Sequence, residues 1–304
     1  MLRDVLGVII AGREHSGTTI CKRILSNSPS LVTGFECGVL SAPGGIKEFI
    51  NYEPYFTNFM HDWGISFKNL KNIIELSMTF EEFYNSVRKA SSVIVSRTKH
   101  QRLRRYNKRI YGSRKNTWDE SAKIIDKTPV YIEHLRSVVD KTENVPIIVM
   151  RKDPKNFVHS WVKRGHSVTS AINCFRSAYG GENEEIINKN DRIKLVQWEF
   201  FAQDIYSYVE EIFAFLGIPY HFEDFEGDFS IDNNVVQANI KSVKYPLCGS
   251  NYCTISGVSQ STEFHQIVDE FSPKLQHPYE ISQPVISNSD LALIDRELSD
   301  FVII

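Results

Sequence analysis

The sequence predicts an α/β fold of three layers, a central parallel sheet with helices on both faces. Three observations predict it. Four short apolar segments of strand length are each followed by a stretch of helical pattern, and repeated strand–helix units need a parallel sheet covered on both sides. A loop rich in glycine and hydroxyl residues joins the first segment to its helix. The 304 residues are 42% hydrophobic and 24% charged, the balance of a soluble globular protein with a sizeable core.

The first unit is a strand at Val5–Ala11, a loop at Gly12–Gly17 and a helix from Thr18 to about Ser26. Pro29 keeps that helix from continuing. A short strand follows at Leu31–Thr33. Residues 45–95 lack strong strand signals and read as a helical insertion. The second unit is Ala122–Ile125, then Asp126-Lys127-Thr128-Pro129 and a helix to about Val139. Thr128 can cap this helix, with Pro129 at its first position. The third is Val145–Met150, after which Asp153-Pro154 opens a helix carrying Phe157 and Trp161. The fourth is Lys194–Trp198 and a helix ending at Leu216, where Gly217 caps and Pro219 blocks continuation. Residues 220–304 read as irregular, with a closing helix at Asp290–Phe301. No shift in composition divides the chain, so residues 1–304 read as a single domain.

The sharpest local feature is Gly12-Arg13-Glu14-His15-Ser16-Gly17-Thr18-Thr19. It follows a strand and opens a helix, the setting a phosphate cradle requires. The glycines allow a tight turn that aims several backbone N–H groups at one anion. Ser16, Thr18 and Thr19 add hydroxyls, and the helix start adds partial positive charge. Gly12, Gly17 and Thr19 match the spacing of the Walker A pattern, which makes the expected fold P-loop NTPase-like. Thr18 replaces the Walker lysine, which in nucleoside-triphosphate enzymes reaches the outer phosphates. That substitution argues against an ATPase or kinase and suits a single phosphate in the cradle. An ordinary Gly/Ser/Thr turn is the bland alternative.

Four segments, in order over residues 5–219, resemble sulfotransferases that use 3′-phosphoadenosine 5′-phosphosulfate. Ser16-Gly17-Thr18-Thr19 is similar to the family's 5′-phosphosulfate loop, and Asp126-Lys127-Thr128-Pro129-Val130-Tyr131 to its second-strand motif. Arg151-Lys152-Asp153-Pro154 with Ser160-Trp161 resembles the 3′-phosphate segment, and Trp198-Glu199 with Leu216-Gly217-Ile218 the late strand–helix unit. The resemblance implies that the phosphosulfate donor is the co-substrate, bound by Gly12, His15, Ser16, Gly17, Thr18, Thr19, Ser160 and one of Arg151 and Lys152. Register favours Lys152 and bidentate chemistry favours Arg151. It also implies that Lys127 is the cation at the leaving phosphate, a catalytic role that His15, standing where the family has Arg or Lys, is able to share.

The histidine that serves cytosolic family members as base is replaced by Pro129, and their C-terminal Arg-Lys-Gly signature is absent. Tyrosylprotein and glucosaminyl N-sulfotransferases use a glutamate instead. Glu36, in Gly34-Phe35-Glu36-Cys37-Gly38, is the matching candidate base here. The implied reaction is sulfuryl transfer to a hydroxyl or amine of a carbohydrate, small metabolite or tyrosine. The alternatives are a P-loop-like phosphotransferase and a non-catalytic nucleotide-binding module.

A formal net charge of −2 does not point to nucleic acid. No apolar run approaches a membrane span, no convincing signal peptide opens the chain, and five cysteines are not a disulfide scaffold, so a cytoplasmic enzyme is expected. Cys248 and Cys253 pair only if the compartment is oxidising. The histidines are scattered, and no metal is expected. Residues 99–115 hold eight Lys/Arg and His100, a basic patch or a solvated helix face, with Trp118 close behind. Oligomeric state is not legible.

Overall fold

The computed structural model describes residues 1–26, 28–34, 36–92, 94, 121–203, 205–220 and 286–301. The basic stretch 99–115, Trp118, Cys248, Cys253 and most of residues 220–304 lie outside the described residues. β1 (Leu6–Ala11) leads through the glycine loop into α1 (Thr18–Leu25), and β2 (Leu31–Val32) follows. Three helices come next: α2 (Tyr55–Trp63), α3 (Phe67–Leu76) and α4 (Phe80–Ala90). β3 (Lys123–Lys127) is followed by a 3-10 helix at Pro129–His134 and by α5 (Leu135–Lys141). β4 (Ile147–Arg151) leads to α6 (Pro154–Val162), α7 (Val168–Tyr179) and α8 (Glu182–Lys189). β5 (Ile193–Gln197), α9 (Trp198–Gln203) and α10 (Ile205–Leu216) complete the units, and α11 (Asn288–Leu298) closes the described chain.

The five strands form one parallel sheet in the order β2-β3-β1-β4-β5. Alternation along the strands sends side chains to two apolar cores, one on each face. Val8, Ile10, Ile125, Ile148 and Val196 pack with α1 and α10. Ile9, Ala11, Ile124, Ile147 and Val149 pack with the helices of the insertion, with α5 to α8 and with α11. This is the three-layer parallel α/β architecture expected. β1 lies between β3 and β4, so the chain order reverses at its carboxyl end, where such sheets open a ligand crevice.

Three local differences from the sequence reading have clear causes. β3 runs on to Lys127, because the polar Asp126 and Lys127 are buried there rather than starting a loop. Thr128 precedes the 3-10 helix without capping it; its hydroxyl is engaged by Asp126 and by two backbone amides. Between β4 and β5 stand three helices rather than one. Ser167 caps α7 by accepting from Ser170 N–H, and Gly181, at φ 57°, separates α7 from α8.

Phe49 anchors the packing of the helical insertion. Its ring, fully buried, meets Phe56, Phe59 and Phe83 edge-on at centroid distances of 5.9, 5.7 and 6.2 Å. Truncation would leave a cavity among these rings. Phe49→Ala is expected to cost about 3–5 kcal/mol, measured as a lowered urea midpoint with the slope unchanged.

Candidate active site

The glycine loop is held by close approach rather than by its own side chains. Gly12 has φ 142°, and a Cβ there would meet the Met150 carbonyl oxygen at 2.4 Å. Gly17 has φ 94°, and a Cβ there would stand 2.3 Å from the Trp198 ring. Both positions therefore exclude a side chain twice over, by conformation and by space. Tyr179 closes the loop from α7: its hydroxyl donates to Met150 O (2.8 Å), accepts from Arg13 N (2.9 Å) and meets Ser16 Oγ at 3.2 Å. The amides of Thr18 and Thr19, in the first turn of α1, have no acceptor within the helix and open toward the loop. Such a loop can take an anion: Ser16 and Thr18 are buried, and the helix start offers backbone donors.

Arg13 runs along the mouth of the cradle, paired with Glu133 and, at 3.3 Å, with Glu14, its guanidinium 5.3 Å from the Trp161 ring centre. His15 sits in the left-handed region at φ 70°. Its edge is exposed, but loss of water around the ring pushes its pKa down to about 4, and the charges of Arg164 and Lys152 add to the shift. At neutral pH the imidazole is uncharged, so it offers a neutral donor or acceptor where the sequence allowed a cation.

Lys127, last residue of β3 and 1% exposed, reaches Glu36 Oε1 at 2.6 Å. Its neighbour on β1 is Ile10, two residues before the loop. Burial lowers the Lys127 pKa and Glu36 opposes that shift. Glu36 lies where the chain leaves β2 and passes under α2. A Cβ on Gly34 would meet the Trp63 ring at 2.5 Å, and one on Gly38 the Tyr55 ring at 2.6 Å. Trp63 Nε1 donates to Glu36 O (3.1 Å). Burial, seconded by the charge of Glu36, raises the pKa of Tyr55 and of Asp62, which places both side chains near its carboxylate.

Lys152, fully buried, donates from Nζ to Ser160 Oγ at 3.1 Å. Arg151 turns the other way. With its amide oxygen facing the guanidinium, Gln197 on β5 accepts from Arg151 Nε at 2.8 Å, and the two residues are in register. Glu199 steadies the start of α6, accepting from Asp153 N and Asn156 Nδ2, both at 2.9 Å. The Asp153 carboxylate caps that helix.

The predicted residues thus gather at the carboxyl ends of four strands. Gly12 to Thr19 follow β1, Glu36 follows β2, Lys127 ends β3, and Lys152 with Ser160 follows β4. Arg151 stands beside Lys152 but is engaged toward β5. Sequence reasoning missed Tyr179 and Asp126. Tyr179 lies 163 residues from Ser16 in a helix without a motif, and the burial of Asp126 has no local signature. Among the described residues no group of His, Cys, Asp and Glu gathers to hold a metal, and no helix is long and apolar enough to cross a membrane.

A family model described as the sulfotransferase family matches residues 7–224. The chain belongs to the sulfotransferase family. No curated protein matches it. Similar solved structures include the sulfotransferase domain of the Synechococcus PCC 7002 olefin synthase, at 17% identity over 96% of this chain and 94% of that one, with a TM-score of 0.46. The sulfotransferase domain from the curacin biosynthetic pathway is 13% identical over 96% of each chain, with a TM-score of 0.45. A mouse sulfotransferase complexed with PAP is 12% identical over 96% and 88%, with a TM-score of 0.34.

Two expectations follow for this sulfotransferase. Tyr179→Phe leaves the Arg13 amide and the Met150 carbonyl without their partner, and should cost about 1–3 kcal/mol of stability in chemical denaturation. His15, whose folded pKa lies below its unfolded value of 6.5, favours folding above pH 6.5. That contribution is lost as pH falls toward 4. Its ring resonances in NMR should titrate near pH 4 in the free protein, and should move to higher pH when an anion fills the cradle.

Proposed function

We propose that this chain transfers a sulfuryl group from 3′-phosphoadenosine 5′-phosphosulfate to a hydroxyl or amine of a carbohydrate, small metabolite or tyrosine. Glu36 is the base and Lys127 the cation at the leaving phosphate. The observation that carries the reading is the 2.6 Å contact between Lys127 Nζ and Glu36 Oε1 beside the anion cradle. A carboxylate and an ammonium are the two groups that sulfuryl transfer needs, one on each side of the moving group.

The residues present suit the donor. The cradle formed by Gly12, His15, Ser16, Gly17, Thr18 and Thr19 takes its 5′-phosphosulfate through backbone amides and the start of α1. Lys152, with its Nζ on Ser160 Oγ, supplies a cation and a hydroxyl for the 3′-phosphate, and the turn of Arg151 toward Gln197 favours Lys152 for that role. The neutral His15 approaches the same anion without adding charge. When bound, the donor supplies an electrophilic sulfur and a phosphate leaving group.

Glu36 takes the proton of the acceptor O–H or N–H as the acceptor atom bonds to sulfur. The sulfur–oxygen bond to the 5′-phosphate breaks, and its electron pair stays on the phosphate oxygen. Lys127 and the amides of α1 stabilise the charge that develops there. In the free protein Lys127 pairs with Glu36; an arriving phosphate gives Lys127 a second anion and loosens its hold on the base. Tyr55 and Asp62 flank Glu36 on the α2 side, where an acceptor would enter.

The test is calorimetry with 3′-phosphoadenosine 5′-phosphate, with ATP–Mg²⁺ as control. Wild type should bind the bisphosphate at micromolar Kd and ATP more weakly. Ser160→Ala should lose about tenfold in affinity, the size of one hydrogen bond to a charged ligand. Glu36→Gln should keep bisphosphate binding and lose about 10²–10⁴ in turnover. No bisphosphate binding, or tighter binding of ATP, would overturn the reading.

A further inference from the structure

Asp126 stands one residue before Lys127 and takes no part in the steps above, yet its carboxyl group is wholly buried. A buried carboxylate is costly unless every lone pair is used. Here three hydroxyls donate to it. Thr128 Oγ1 reaches Oδ1 at 3.0 Å, Tyr131 OH reaches Oδ2 at 2.8 Å, and Tyr84 OH of α4 reaches the same oxygen. Burial raises the Asp126 pKa to about 6 while these donors oppose the shift, so the group is ionised at neutral pH. The charge of Asp126 also reaches Lys127, and the other titratable groups around it are the phenols of Tyr84 and Tyr131 and the thiol of Cys37. The phenols and the thiol are pushed well up, by burial first and by Asp126 next, and stay protonated.

Two of the three hydroxyls also accept backbone amides, all from the segment that follows Glu36. Thr128 Oγ1 accepts from Cys37 N at 3.0 Å and Gly38 N at 3.1 Å, and Tyr131 OH accepts from Leu40 N at 3.3 Å. An ionised carboxylate can only accept. It therefore draws the hydroxyl hydrogens to itself and leaves the oxygen lone pairs for the amides. Successive strand residues point to opposite faces. β3 thus meets the crossing segment from both sides of the sheet, with Lys127 on the Glu36 side chain and Asp126, through the hydroxyls, on its backbone.

We propose that Asp126 is a positioning residue for sulfuryl transfer: through Thr128 and Tyr131 it holds the backbone of residues 36–40 so that Glu36 stays against Lys127. The proposal rests on the catalytic reading of that pair given above. Nothing else need touch substrate for Asp126 to matter. A displacement of the base by about 1 Å is enough to lower the rate up to a hundredfold.

Thr128→Val and Thr128→Ser separate positioning from bulk. Valine keeps the volume and removes the hydroxyl; serine keeps the hydroxyl. Two readouts are taken on each variant. One is the titration of Lys127 by NMR of lysine labelled with ¹³C at Cε, assigned by its loss in Lys127→Met. The other is kcat for release of the bisphosphate from the donor, beside calorimetric bisphosphate affinity. Thr128→Val should move the Lys127 titration to lower pH, because the anion that raises it has drifted. It should also lower kcat tenfold or more, with bisphosphate affinity changed by less than about twofold. Thr128→Ser should restore both. Should Thr128→Val not fold, Tyr131→Phe removes one amide contact together with the hydroxyl that donates to Asp126, and should move both readouts in the same direction by less. A Lys127 titration unmoved in these variants overturns the proposal, as does a serine variant no better than valine. A wild type that binds no bisphosphate and turns over no donor overturns the sulfuryl-transfer reading instead, which the Lys127 titration does not depend on.

Discussion

An ammonium group at 1% exposure must be answered by an anion, and the carboxyl end of this sheet is arranged around how Lys127 is answered. Desolvating such an ion costs several kcal/mol even after relaxation, and burial accordingly lowers the Lys127 pKa. Glu36 meets it at 2.6 Å but keeps 24% of its own side-chain surface in solvent. The pair is therefore buried on one side and open on the other. In the proposed reaction that asymmetry suits a working pair: the lysine is fixed by the strand, and the carboxylate can exchange its partner for an acceptor proton.

The anion cradle obeys a different constraint, that of space. Gly12 lies against the Met150 carbonyl and Gly17 against the Trp198 ring, so β4 and the residue after β5 press the loop into shape from outside. Tyr179 ties Arg13 and Ser16 to the end of β4 through one hydroxyl. A loop held in this way presents its amides in a fixed direction before any ligand arrives, which is the electrostatic preorganisation that transfer reactions exploit. The charge around it is divided. Lys152 and Arg164 lie on the α6 side and add to the loss of water that keeps His15 neutral. Glu36, Asp62 and Tyr55 lie together on the α2 side, where Lys127 meets Glu36.

Much of this was legible in the sequence. The strand–helix alternation, the glycine loop, Lys127 in Asp126-Lys127-Thr128-Pro129, and the spacing from Lys152 to Ser160 are local patterns. Local patterns survive because strand period, helix capping and tight turns are set by neighbours in the chain. The residues left unread share one property: their partners are remote. Tyr179 acts on residues over 160 positions away. Asp126 looks like one more polar residue before a helix until Tyr84, from 42 positions earlier, is brought onto it.

The sequence by itself determined the layer architecture, the strand ends from which function is built, and the family. Those follow from periodicity, from backbone conformations open only to glycine, and from motif order. Tertiary structure alone decided which candidates meet. It set Lys127 on Glu36, turned Arg151 to Gln197 and gave Lys152 to Ser160. It left His15 uncharged and hung the Glu36 segment on Asp126. Each of these depends on burial and on distances between groups far apart in the chain, and both come into being only when the sheet closes and water leaves.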